Sequence, residues 1–142
     1  MKWKEEALER LERYTLMEQA RRNIPRELER LEAEAEAMGK RDLTRVGRSA
    51  KKHDEWLLNN LALRQQLEWS LQDAVSWLGI TNVALNALEK EERWLLENLI
   101  IKKQITMAEL ECRLGVERST AYRRRDKALE HFALALYGGI ES

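Results

Sequence analysis

Residues 114 to 129, LGVERSTAYRRRDKAL, set Arg118, Arg123, Arg124, Arg125 and Lys127 against the two acids Glu117 and Asp126. Cations at this density either solubilise a helix or meet a polyanion. Arg can also bond guanine O6 and N7 bidentately, a contact worth roughly 1 to 3 kcal/mol of discrimination between bases. Ser119, Thr120 and the free N–H groups of a helix's first turn suit phosphate contacts, which fix register without reading sequence. The expected DNA-binding set is therefore Arg118, Ser119, Thr120, Tyr122, Arg123, Arg124 and Lys127. Arg118 and Arg123 are the expected base readers. Arg124, Arg125 and Lys127 are expected to serve phosphates or the protein's own acids.

Such a set needs a helix, held by a second helix across a turn. Thr106-x-x-Glu109 has the form of a capping box: the Thr hydroxyl accepts from the third helical N–H and the Glu returns a bond to the Thr backbone. A helix of about eight residues should start there and stop at Gly115, where a left-handed residue is needed. A further helix should run to the glycines at 138 and 139. Leu110, Leu114, Val116 and Ala121 have the spacing to hold the pair together. Ala121, Ala128, Leu129 and Phe132 should face inward. Two helices so joined make a helix-turn-helix, whose second helix can lie in the DNA major groove.

From about residue 88 to 138, LEKEERWLLENLI followed by ITMAELECRLGVERSTAYRRRDKALEHFALALYG resembles the C-terminal part of small phage and prophage transcriptional regulators of the ArpU and RinA type. Those regulators are similar to region 4 of sigma factors. The resemblance implies a helix-turn-helix without a wing, acting on late phage genes such as packaging and lysis. This chain departs from the pattern at two positions. Glu111 stands where a small residue is usual, which leaves the close helix contact to Ala108 and Cys112. Glu117 replaces the usual Ser or Thr cap.

The rest of the chain reads as helix. There is one proline, β-branched runs are scarce, and apolar residues recur at three and four, giving an all-α fold, a helical bundle with long N-terminal helices. Residues 1–38 form an N-terminal helical assembly region with a stripe from Trp3 through Ala7, Leu11, Tyr14 and Leu31 to Met38. Pro25 makes it either one kinked helix or two, the second capped by Asn23. Residues 39–53, with two glycines, read as a basic linker that is either a phosphate-binding arm or a soluble loop. Residues 54–80 read as a long central helix stopping at Gly79, apolar over more than half its circumference. Residues 81–142 complete the DNA-binding domain, with GITN as a break and a helix from about 90 to 101.

Lys plus Arg and Asp plus Glu both number 25, but this neutrality hides segregation. Residues 1–38 hold eight Lys and Arg against ten Glu, whereas 39–53 hold six against Asp42. Local basic patches attract polyanions even on a neutral molecule. Cys112 is the only cysteine, excluding an internal disulfide and fitting the reducing cytoplasm. It reads as a helix-packing residue. The five tryptophans fall mainly among leucines and read as core. No run of about 18 apolar residues exists to cross a membrane.

No metal-ligand spacing, phosphate loop or nucleophile elbow occurs, so neither cofactor nor catalysis is expected. Duplex DNA is the expected partner. RNA polymerase, or a second protomer through the N-terminal stripe, is the expected protein partner. Two other readings fit the sequence: a DNA-packaging protein resembling a terminase small subunit, and a helical interaction module without DNA.

Overall fold

Leu, Ala, Glu, Lys and Arg, all strong helix formers, dominate the chain. The computed structural model describes residues 2–41 and 48–138, and the side chains of 2–40 and 50–138. No strand occurs among these residues. The elements are α1 (Lys2–Arg41), α2 (Arg48–Asn86), α3 (Lys90–Leu96), α4 (Met107–Leu114) and α5 (Arg118–Tyr137). A π-helical turn over Glu97–Ile101 extends α3, with Lys102 N–H donating to the Glu97 carbonyl at 2.8 Å. No helix among the described residues is long and apolar enough to cross a membrane.

The chain packs as two units, Met1–Met17 with Trp77–Ser142, and Glu18–Ser76. In the first, α3 and α4 both pack on α5. Its core joins Leu95 and Leu96 of α3, Leu110 of α4, and Leu129 and Phe132 of α5 to Ala7 and Leu11 of α1 and Ala84 and Leu85 of α2. A polar clasp binds α1 to α2 within this unit. Arg10 Nε donates to Thr81 Oγ1 at 2.8 Å, and Arg10 Nη2 to the Trp77 carbonyl at 3.3 Å. The Arg10 guanidinium also lies 4.7 Å from the Trp77 ring centroid. Burial lowers the pKa of Arg10, with Tyr137 acting the other way. Tyr14 O–H donates to Asn82 Oδ1 at 2.6 Å.

In the second unit, Leu31, Asn60 and Ala74 are buried. Asn60 Nδ2 donates to the Leu31 carbonyl at 3.0 Å and its Oδ1 accepts from Arg64 Nε at 2.8 Å, so the buried amide is satisfied at both ends.

Several boundaries differ from those read in the sequence. α1 is one helix with Pro25 inside it. The proline removes one backbone bond, but its ring is exposed and tertiary contacts at Leu11 on one side and Leu31 on the other hold the helix together. The expected linker 39–53 is helical at 39–41 and 48–53, where Lys, Arg and Ala favour helix, while 42–47 lie outside the described residues.

The expected stop at Gly79 is absent, and α2 runs on to Asn86. The polar residues of GITN are engaged elsewhere: Thr81 Oγ1 donates back to the Trp77 carbonyl at 2.8 Å while accepting from Arg10, and Asn82 accepts from Tyr14. The N-terminal stripe expected to serve assembly is largely occupied by the chain itself, since Ala7 and Leu11 are fully buried.

Two substitutions check this arrangement by urea denaturation. Leu11→Ala should cost about 2 to 5 kcal/mol, as for a core leucine in a sealed site. Gly79→Ala, in a helix interior with nothing within 4 Å of an added Cβ, should add roughly 0.5 to 1 kcal/mol.

Candidate nucleic-acid interface

α4 starts where Thr106, in an extended conformation, accepts the Glu109 N–H on its Oγ1 at 3.2 Å. The returning half of the expected capping box is altered. The Glu109 carboxylate faces the Thr106 hydroxyl at 3.5 Å instead of the Thr106 backbone N–H. At the other end Gly115 adopts φ 64°, ψ 37°, and its N–H and that of Val116 both reach the Glu111 carbonyl. Glu117 then precedes α5 in an extended conformation without a side-chain cap bond.

Leu110 is fully buried and Leu114 and Val116 half-buried, as their spacing implies. Ala108 and Cys112 do not supply the close helix contact: both are exposed, so Cys112 is not a packing residue. Leu110, two residues from each and so on the other side of α4, joins the core with α5 in their place.

α5 turns Ala121, Ala128, Leu129, Phe132 and Ala133 into the core. Arg118, Ser119, Arg123, Arg124 and Lys127 are exposed, and Thr120 and Tyr122 half-buried. The two expected base readers do not share one side of the helix. Five residues apart, Arg118 and Arg123 diverge by about 140°. Ser119, Thr120, Arg123 and Lys127 share the outward side. Arg118 instead lies over the Tyr122 ring, 5.7 Å from its centroid, and Arg125 approaches the same ring at 5.0 Å.

The remaining cations are held by the protein's own acids. Arg124 Nη1 lies 3.2 Å from Glu91 Oε1 on α3. Arg125 Nη2 lies 3.2 Å from Asp126 Oδ1, whose other oxygen meets Lys4 Nζ at 2.8 Å. His131 Nδ1 sits 2.5 Å from Glu92 Oε2. Burial pushes the Asp126 carboxyl up, but hydrogen bonds from Lys4 and Arg125 outweigh it and leave the group below its ordinary value. Among the described residues no acid lies within ion-pairing distance of Arg118, Arg123 or Lys127.

Sequence reasoning missed Lys4, Glu91, Glu92 and Asp126 as residues that position α5. Nothing local in the sequence ties Glu91 and Glu92 to side chains 33 and 39 residues away. Among the described residues no group of three or more His, Cys, Asp or Glu side chains is arranged to hold a metal ion. Comparison with known proteins gives no match to any family model, curated protein or solved structure.

Gly115→Ala should cost about 1 to 2 kcal/mol in urea denaturation, because an L side chain is strained at this φ although nothing crowds the position. Asp126→Asn should be less stable than wild type at neutral pH. The depressed carboxyl contributes stability above its unfolded pKa and loses it as pH falls through the lower folded value. The difference should therefore close as pH drops below about 4, measured by thermal melts across pH.

Proposed function

We propose that the chain is a sequence-specific duplex DNA-binding regulator of phage late genes, with α4 and α5 as a sigma-region-4-like helix-turn-helix and α5 in the major groove. The carrying observation is the outward side of α5. It presents Ser119, Arg123 and Lys127 in the turns that follow the Gly115 connection, with the two cations unpaired. A helix whose arginines served only solubility would have little reason to sort them into neutralised and unneutralised sets.

On this reading Arg123 reads a base edge from the centre of the outward side, and Arg118 does so from the first turn, braced by Tyr122. Ser119, Thr120 and the N–H groups of Arg118 and Ser119 contact phosphates, and Lys127 follows the backbone. Arg124 and Arg125 keep α5 seated on α3 and α1. The resemblance to ArpU and RinA regulators supports a cytoplasmic activator working beside RNA polymerase. The chain binds and does not catalyse.

Selection from a random duplex library, run on wild type and on Arg118→Ala/Arg123→Ala, tests the reading. Wild type should enrich a defined motif and the double variant should not; no enrichment by wild type overturns the assignment. Three unpaired cations on phosphates or bases also set the salt dependence. Log affinity should fall against log salt with a slope of about −3, and a slope near zero contradicts contact between α5 and DNA.

A further inference from the structure

Within the second unit, Asn60, bonded to Leu31, and Ala74 mark the side of α2 that is buried. On the opposite side Leu58 is 65% exposed, Trp69 66% and Leu61 46%. Ala62, Gln65, Gln72 and Ser76 are exposed beside them and carry no charge. At 100° per residue these side chains fall within an arc of about 100°. Positions 58, 62, 65, 69, 72 and 76 are spaced alternately by four and three, the spacing by which one helix seats against another. The seam lies wholly within the second unit and is about 27 Å long.

The charges along the seam identify what fits it. From residue 54 to residue 76 the charged side chains are Asp54, Glu55, Glu68 and Asp73 and a single cation, Arg64. Arg64 is turned to the covered side, where its Nε donates to Asn60 Oδ1 at 2.8 Å. By helical position Glu68 borders the seam on one flank, and Glu55 and Asp73 border it on the other. Among the described residues no cation lies within ion-pairing distance of these four acids, whereas Glu18, Glu27 and Glu34 of α1, in the same unit, pair with Arg21, Arg22 and Arg30. Between residues 54 and 76 a second copy of the chain offers only acids to these acids. A parallel pair, for example, sets Glu68 beside Asp73 of the second copy. Nucleic acid and anionic lipid are repelled by the same charge.

We propose that this face of α2 is a docking surface for a basic amphipathic helix of a partner protein. The partner presents apolar residues three and four apart to Leu58, Leu61 and Trp69, and Lys or Arg on both flanks of that stripe to Glu55, Glu68 and Asp73. Trp69, large and exposed near the middle of the seam, is the anchor. Gln65 and Gln72 offer amides to polar residues of the partner and so fix its register. The assignment is independent of the DNA reading, which rests on α5.

Calorimetric titration of the full chain with two synthetic peptides tests this. Both are amphipathic helices of roughly five turns with the same leucine stripe; one carries Lys along both flanks and the other Glu. The Lys peptide should bind wild type at least about tenfold more tightly than the Glu peptide, and Trp69→Ala should weaken it by about tenfold. Glu68→Lys/Asp73→Lys should reverse the order, so that the Glu peptide binds better, a gain that misfolding does not produce. Glu29→Lys/Glu36→Lys, the same change in net charge at exposed positions of α1, should leave the order as in wild type.

No binding by wild type, equal binding of the two peptides, no reversal by the α2 substitutions, or a reversal by those in α1 overturns the proposal. So does sedimentation of the chain alone as a dimer that Trp69→Ala dissociates, which would give the face to a second copy.

Discussion

Burial of Ala7 and Leu11 among residues 84 to 133 is the constraint on which the first unit rests. α4 has eight residues and α3 seven before its π-helical extension. Elements so short expose much of their apolar surface unless something covers it. α1 and the end of α2 provide that cover, and the Arg10, Thr81, Tyr14 and Asn82 bonds fix their register. The clasp combines partly buried polar groups, each with a partner, and apolar contacts on the same helix, so a shift of α1 would unpair the first while exposing the second.

The charges of α5 are organised by the same packing. Five cations between residues 118 and 127 would repel one another on an isolated helix. Glu91 of α3 neutralises Arg124, and Asp126, which also meets Lys4 on α1, neutralises Arg125. Positive charge is thereby left on the side of α5 away from the core. The electrostatic pattern of this surface is a result of the tertiary fold as much as of the arginine run.

Local signals in the sequence located the elements nearest the candidate site well. Thr106 and Gly115 bound α4 because capping chemistry is local, acting within three or four residues. Gly79 misled for the converse reason. A glycine with Ile80, Thr81 and Asn82 reads as a turn until Thr81 and Asn82 are seen to bond residues some seventy positions away. Pro25 and Gly39 were overridden in the same way by helices whose stability is tertiary. The pairing of Arg124 with Glu91 depends on how α3 and α5 cross, and the brace of Arg118 and Arg125 on Tyr122, one turn away on the same helix, depends on rotamer choice. Periodicity encodes neither.

The first unit is discontinuous in the chain, with Glu18–Ser76 inserted between its two parts. During synthesis Ala7 and Leu11 leave the ribosome long before Leu129 and Phe132, which share their core. Within the inserted segment the two helices meet through contacts such as that of Asn60 with Leu31, 29 residues apart, which can form as it emerges, whereas closing the first unit must await nearly the whole chain. Until then α1 carries its apolar face uncovered, and its folding is coupled to the completion of α5. A chain interrupted before α5 would therefore hold a formed pair of helices and an unsealed start of α1, a species prone to capture by chaperones or proteases.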